Sequence, residues 1–238
     1  MMVCIPARVG SQRVPDKNLQ VVGGKTLVEH AIDFALQLNY PIVVTTNSPE
    51  VARIAQRSSD AVMVCFAYPP KYHGDRSSSF DVWRHAWEHG EKELMTEIQC
   101  SVYLEPSTPI RNIAAVEEAI AMCVDEHYDL VTTVEPVPDR WCAVRQLVSG
   151  PRADATRVDL SPVHEEALKL PRQLRGAYYV LNGAAYVADR NVLFDPKNTS
   201  IWDAIYIGGV VTEHTPTIDT MDDLEEARRC FKSESTPA

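Results

Sequence analysis

With 33 acidic against 23 basic side chains in 238 residues, the chain carries a formal net charge of -10, which excludes the broad positive field of a general nucleic-acid or membrane-surface binder. A hydrophobic fraction of 45% at this length suffices for one sizeable core, so we expect a single domain, 1–238. Six cysteines with no C-x-x-C pair or regular histidine partners argue against structural zinc, and with no secretory pattern or membrane-length apolar run we expect reduced thiols in the cytoplasm.

Met2-Val3-Cys4-Ile5 is a short apolar run that predicts a buried strand. It opens into a polar loop from Pro6 to Asn18, where Arg8, Arg13 and Lys17 fall within ten residues, Gly10 permits unusual backbone angles and Pro6 and Pro15 stiffen the path. Ligands of open α/β sheets settle beyond the carboxyl ends of the strands, so a cationic loop leaving the first strand predicts a polyphosphate site. The two commonest phosphate motifs are absent. Leu19 stands where a P-loop ending in Gly24-Lys25-Thr26 needs glycine, and no G-x-G-x-x-G follows the strand.

Apolar residues at 27, 28, 31, 32, 35 and 38 predict an amphipathic helix over Lys25 to Leu38. Pro41 to Thr46 reads as a second buried strand, and Ser48 before Pro49 as the capped start of a helix reaching about Arg57. Ala61 to Cys65 is a third strand, and this alternation predicts a doubly wound, mostly parallel sheet. Phe80, Trp83 and Trp87 mark the core face of another helix; Gln99 to Leu104 and Asp129 to Val134 predict strands on either side of a helix carrying Ile113, Val116, Ile120 and Cys123. From Glu135 to about Tyr179 the alternation stops. A structureless stretch of that length is improbable in a compact domain, so it should hold its own short strands or helix and bury Trp141 against a partner. Strands return at Val180 to Val187 and Ile205 to Val211, and Thr220 with Asp223 forms a capping-box pattern opening a last helix with Leu224, Ala227 and Phe231 inside. That pattern puts Asp219 at a strand-to-helix corner.

The run Ile5-Pro6-Ala7-Arg8-Val9-Gly10-Ser11-Gln12-Arg13-Val14-Pro15-Asp16-Lys17-Asn18 resembles the opening I-P-A-R-x-G-S-K-x-x-P-x-K-N of the cytidylyltransferases that activate acidic sugars as CMP derivatives, closest to the N-acylneuraminate branch. Gln12 replaces the pattern's lysine. Later segments follow in the same order along the chain. Asp75 matches the acid ending R-P-x-x-L-A-x-D, whose leading arginine is Tyr68 here; Leu104 to Arg111 matches L-Q-P-T-S-P-L-R with Glu105 in place of glutamine. Arg172-Gln173 and Asn182 to Tyr186 match R-Q and N-G-A-x-Y, with Val180 where a second arginine stands, and Thr217 to Thr220 matches D-x-D-T with Thr217 in place of the first aspartate.

The resemblance implies a Rossmann-like α/β fold of the nucleotide-diphospho-sugar transferase type, with 136–179 as a protruding dimerisation arm of a homodimer. It implies transfer of CMP from CTP to an acidic acceptor, with release of pyrophosphate and use of Mg2+. Ala7, Arg8, Arg13, Lys17, Asn18, Asp75 and Ser78 would meet the nucleotide. Glu105, Arg172, Gln173, Asn182 and Tyr186 would meet the acceptor, Arg172 gripping its carboxylate by two parallel hydrogen bonds. Arg8, Lys17 and Asp219 would be catalytic, with Asp219 holding the metal and Glu105 a further candidate ligand. A carboxylate at 105 repels an acidic acceptor unless it meets the metal or a cationic group on the substrate. The departures fall mainly where acceptor and metal are handled. The acceptor therefore stays open between a sialic or other nonulosonic acid, a Kdo-like octulosonate and a phosphonate, and Thr217 leaves a noncatalytic nucleotide-binding relative as the alternative. A nicotinamide-dependent oxidoreductase would need the missing glycine fingerprint.

Overall fold

The computed structural model describes residues 1–66, 78–137, 147–153, 158–162, 169 and 177–234. The chain opens with β1 (Met2–Pro6), then a two-stranded ladder of β2 (Val21–Val22) and β3 (Lys25–Thr26) that leads into α1 (Leu27–Gln37). The helix starts later than the apolar spacing predicts, because Thr26 caps it. Thr26 Oγ1 accepts from the Glu29 amide while the Glu29 carboxylate accepts from the Thr26 amide, a reciprocal pair that fixes the first turn. Next come β4 (Ile42–Thr45), α2 (Pro49–Ser58) with Ser48 as cap and proline in its first turn, and β5 (Val62–Cys65). They are followed by α3 (Ser79–Leu94), β6 (Cys100–Tyr103), α4 (Ile113–Val124) and β7 (Leu130–Pro136). β8 (Leu147–Ala153) and β9 (Val158–Pro162) precede β10 (Tyr179–Asp189), α5 (Arg190–Phe194), β11 (Ile207–Val211) and α6 (Met221–Glu234).

Seven strands form one sheet in the order β11-β7-β10-β6-β1-β4-β5. Only β10 runs against its neighbours, pairing antiparallel with both β6 and β7. The reason lies in the connection. Tyr179, the first residue of β10, pairs with Pro136, the last of β7, and the Val137 amide donates to the Tyr178 carbonyl. The intervening segment thus leaves and re-enters the sheet at one point, like a long hairpin, and the returning strand has to reverse direction. Within that segment β8 and β9 pair only with each other, giving the excursion the strands of its own that the sequence predicts. Trp141, Arg172 and Gln173 lie outside the described residues, as do Tyr68 and Asp75.

Alternation along the strands sends side chains to two separate cores. Val3, Ile5, Ile42 and Val44 pack with α1, α2 and α4 on one face. Met2, Cys4 and Val43 pack on the other with α3 and α5, where Trp83 and Trp87 are fully buried as the aromatic stripe predicts. Glycine at position 90, inside α3, is explained by this layer. A Cβ there would press on the side chains of Met2 and Val43, so the close approach of helix and sheet favours glycine at that position. A third, smaller cluster gathers Val14, Val22, Leu27, Ile218, Leu224 and Ala227 and ties the opening loop to the start of α6.

Two further departures from the sequence reading have a local cause. Ile205 and Tyr206 give their amides to the Asp129 carboxylate, so β11 starts at Ile207. Residues 213–218 form no strand; the Ile218 amide makes one backbone bond, to the Ser107 carbonyl, and Asp219 therefore sits at a loop-to-helix corner.

Candidate active site

The opening loop leaves β1 at the carboxyl edge of the sheet and is held in place by its own polar groups. Ala7 is buried, its amide donating to the Thr45 carbonyl and its carbonyl accepting from Thr46 Oγ1. The Val9 amide donates to Asn47 Oδ1, and Asn18 Nδ2 donates to the Arg8 carbonyl at 2.8 Å, closing the loop on itself. Val14 is 1% exposed and joins the third apolar cluster with Val22, Leu27, Ile218, Leu224 and Ala227. That apolar contact fixes the loop without using its cations.

Lys17 joins the two ends of the sequence. Its Nζ donates to the Ile218 carbonyl at 2.9 Å and to Asp219 Oδ1 at 3.2 Å, while Arg13 Nη2 stands 3.6 Å from the same oxygen. Asp219 is free to do this because Asp223 performs the capping. The Asp223 carboxylate accepts from the amides of Asp219 and Thr220, and these bonds hold its carboxyl below the usual carboxylate range.

Glu105 follows β6. Its carbonyl accepts from the Thr108 amide and from Arg111 Nη2, and Arg111 Nε donates to the Ala184 carbonyl, so one guanidinium staples the β6 exit loop to β10. Burial pulls Arg111 down to about 9, a value at which it stays charged at neutral pH. Arg111 Nη1 is buried without a hydrogen-bond partner among the described residues. The Glu105 carboxyl is pushed above its ordinary value, chiefly by burial and also by the charge of Asp219, against the opposing pull of Lys17 and Arg111. Tyr186 is pushed up to about 12 by burial and the Glu105 charge.

A cavity of about 560 Å³ is lined by Arg8, Ser11, Gln12, Arg13, Lys17, Asn18, Ser79, Tyr103, Glu105, Ser107 and Asp219, among others. The structure thus brings Arg8, Arg13, Lys17, Asn18, Glu105 and Asp219 together, from three separate parts of the chain. Ser78, next to the cavity, is the cap of α3 and accepts from the Phe80 amide. Asn182 is not directed at the cavity. Its Oδ1 accepts from Thr133 Oγ1 and the Ala184 amide, and its Nδ2 donates to Thr212 Oγ1, so it stabilises the irregular step of β10 between Leu181 and Tyr186. Gly183, in that step, has φ +68. Thr217 Oγ1 donates to the Asn182 carbonyl at 2.7 Å, which gives the hydroxyl at 217 a structural task where the resemblance has a carboxylate.

Sequence reasoning missed the place of Val14 in the third apolar cluster and the Arg111 staple. Val14 carried a signal, being an apolar residue within a polar loop. Arg111 closes the L-Q-P-T-S-P-L-R match, but nothing local named its partners, since a loop arginine is ordinarily solvated. Among the described residues no cluster of three or more His, Cys, Asp or Glu side chains could hold a metal ion, and no helix is long and apolar enough to cross a membrane.

Residues 2–144 match the family model described as cytidylyltransferase. The N-acylneuraminate cytidylyltransferase of Escherichia coli is 28% identical over 201 residues, covering 83% of this chain and 44% of that protein. The 3-deoxy-manno-octulosonate cytidylyltransferase of Methylobacterium radiotolerans is 27% identical over 139 residues, or 58% of this chain and 53% of that one. The chain spans about half the length of the curated relatives it matches. Among solved structures, a CMP:2-keto-3-deoxy-manno-octonic acid synthetase complexed with CTP superposes with a TM-score of 0.66 at 22% identity, covering 98% of both chains.

Proposed function

The chain belongs to the cytidylyltransferase family, and on that premise we propose that it moves CMP from CTP to an acidic acceptor, releasing pyrophosphate. The observation that carries the reading is the Lys17–Asp219 contact at the cavity rim, where the cations of the first loop meet a carboxylate 202 residues away in sequence. Phosphate charge needs fixed cations, and a metal needs a carboxylate beside them.

In this reading Arg8, Arg13 and Lys17 neutralise the triphosphate, and Asn18, braced on the Arg8 carbonyl, meets the nucleoside. An acceptor hydroxyl oxygen forms the new bond to the α-phosphorus, the bond to the leaving pyrophosphate breaks, and the hydroxyl proton passes to solvent. Asp219 and Glu105 both face the cavity. Two carboxylates suit magnesium, which retains waters and takes phosphate oxygens, better than a metal requiring a full protein cage. Asp219 would hold it, and its chemistry is to offset charge on the phosphates. The β8–β9 excursion would serve a homodimer, a point for light scattering, and the reduced, buried Cys4, Cys65, Cys100 and Cys123 suit the cytoplasm.

The relatives act by name on sialic acid and Kdo, and the acceptor here is sought among such acids. The test is magnesium-dependent pyrophosphate release from CTP, with ATP, GTP and UTP as controls, across sialic, legionaminic, pseudaminic, octulosonic and phosphonic acids. Release with CTP and one acid supports the transferase; CTP binding without release across the panel favours a noncatalytic binder, the reading that Thr217 motivates.

A further inference from the structure

Of the two carboxylates on the cavity, Asp219 is matched by Lys17 and Arg13, whereas no described residue donates a hydrogen bond to the carboxylate of Glu105. Lys17 and Arg111 are the cations that act on it, yet neither forms an ion pair with it, and Arg111 directs its bonded nitrogens at the Ala184 and Glu105 carbonyls. The backbone that carries the side chain is held, because the Glu105 carbonyl accepts from Arg111 and the Thr108 amide. Its Oε2 lies 3.6 Å from where a Cβ on Gly183 would stand, so it leans on the β10 irregularity that glycine leaves bare. A half-buried carboxylate that faces the cavity with no donor among the described residues is left to water or to a ligand, and a cationic group on the ligand compensates its charge best.

We infer that Glu105 receives a protonated amine on the acceptor, so that the preferred acceptor is a zwitterionic acid rather than one bearing only hydroxyl and acylamido groups. The inference rests on the cytidylyltransferase reading for the identity of the cavity. A neutral hydroxyl would satisfy the hydrogen bond and leave the carboxylate's charge uncompensated, whereas an ammonium does both. The cations of the opening loop are then left for the anionic groups of the two substrates. Selectivity arises from the same contact, since an uncharged acylamide in that place leaves Glu105 unpaired.

The experiment pairs each amine with its N-acetyl counterpart: an aminoalkylphosphonic acid, and a nonulosonic acid carrying a free amine. Each acid is titrated calorimetrically into the full chain, with and without CTP and Mg2+, for the native protein and Glu105→Gln. We expect the amine to bind native protein about tenfold or more tightly than its acetylated partner, the yield of one charge-assisted hydrogen bond. Glu105→Gln should abolish that preference while Mn2+ affinity in the presence of CTP, read by electron paramagnetic resonance, is retained. Equal or tighter binding of the acetylated acids to native protein overturns the inference, as does a preference that survives Glu105→Gln or the failure of both acids in every pair to bind. A loss of Mn2+ affinity in Glu105→Gln with the amine preference intact would instead make Glu105 a metal ligand. Failure of CTP to bind counts against the nucleotide reading alone, because the acid titrations without CTP still decide the role of Glu105.

Discussion

Replacing Lys17 by alanine separates the phosphate role from a structural one. Its Nζ makes one bond to a backbone carbonyl at 2.9 Å and one to the half-exposed Asp219 carboxylate at 3.2 Å. A carbonyl bond of this kind is worth about 1 kcal/mol net, and an ion pair to a carboxylate so open to solvent adds about 0.2–1 kcal/mol. The loss of stability should then be about 1–2 kcal/mol, or roughly 2–8 °C in Tm for a chain of this size. Against that modest cost, removing a preorganised cation from a transferring phosphate should lower turnover by roughly 10²–10³. Scanning calorimetry reads the first quantity, and pyrophosphate release together with CTP affinity reads the second. Lys17→Met keeps the aliphatic stem and guards against a packing artefact. Native CTP affinity and turnover in a folded variant would refute the phosphate assignment, and so would a collapse in Tm far beyond the range above, which would make Lys17 a structural strut.

Glu105→Gln should raise Tm at neutral pH. Burial lifts the folded carboxyl above its ordinary value of 4.5, so its contribution to stability is fully present below the unfolded pKa and is lost as pH rises through the folded one. The Tm advantage of the glutamine variant should therefore grow upward from about pH 4, and a flat or declining difference would contradict the burial argument. Asp219→Asn should weaken Mn2+ binding in the presence of CTP by about tenfold or more, the loss of a ligating carboxylate; unchanged affinity would remove Asp219 from the metal. Gly183→Ala should cost about 1–3 kcal/mol, because alanine at φ +68 is strained and its Cβ would meet Thr108 Oγ1 at 3.1 Å. Thermal unfolding checks it, and a neutral result would mean that the β10 irregularity relaxes.

The phosphate-side residues were legible because they lie close together in one local run, in which cations, glycine and prolines are spaced for a loop leaving a strand. The acceptor side was less so. Asn182 reads as a site residue in its motif, yet both ends of its amide are taken up by Thr133, Thr212 and the Ala184 backbone, a use that appears only once β7, β10 and residue 212 are side by side. The partners of Arg111 were unreadable for a similar reason. Nothing local distinguishes a solvated loop arginine from one buried between the Glu105 and Ala184 carbonyls.

By itself the sequence determined the strand-helix alternation, the capped starts of α2 and α6, and the cationic loop after β1, since each depends on neighbours within a few residues. It also determined that the chain breaks its pattern after β7. Only the tertiary structure decided that β10 returns antiparallel between β6 and β7, that Val14 and Ile218 join one apolar cluster while Lys17 meets Asp219, and that Glu105 faces the cavity with no donor among the described residues. Those outcomes depend on pairings across 50 to 200 residues, where packing and desolvation select the partner and local propensity carries no information about it.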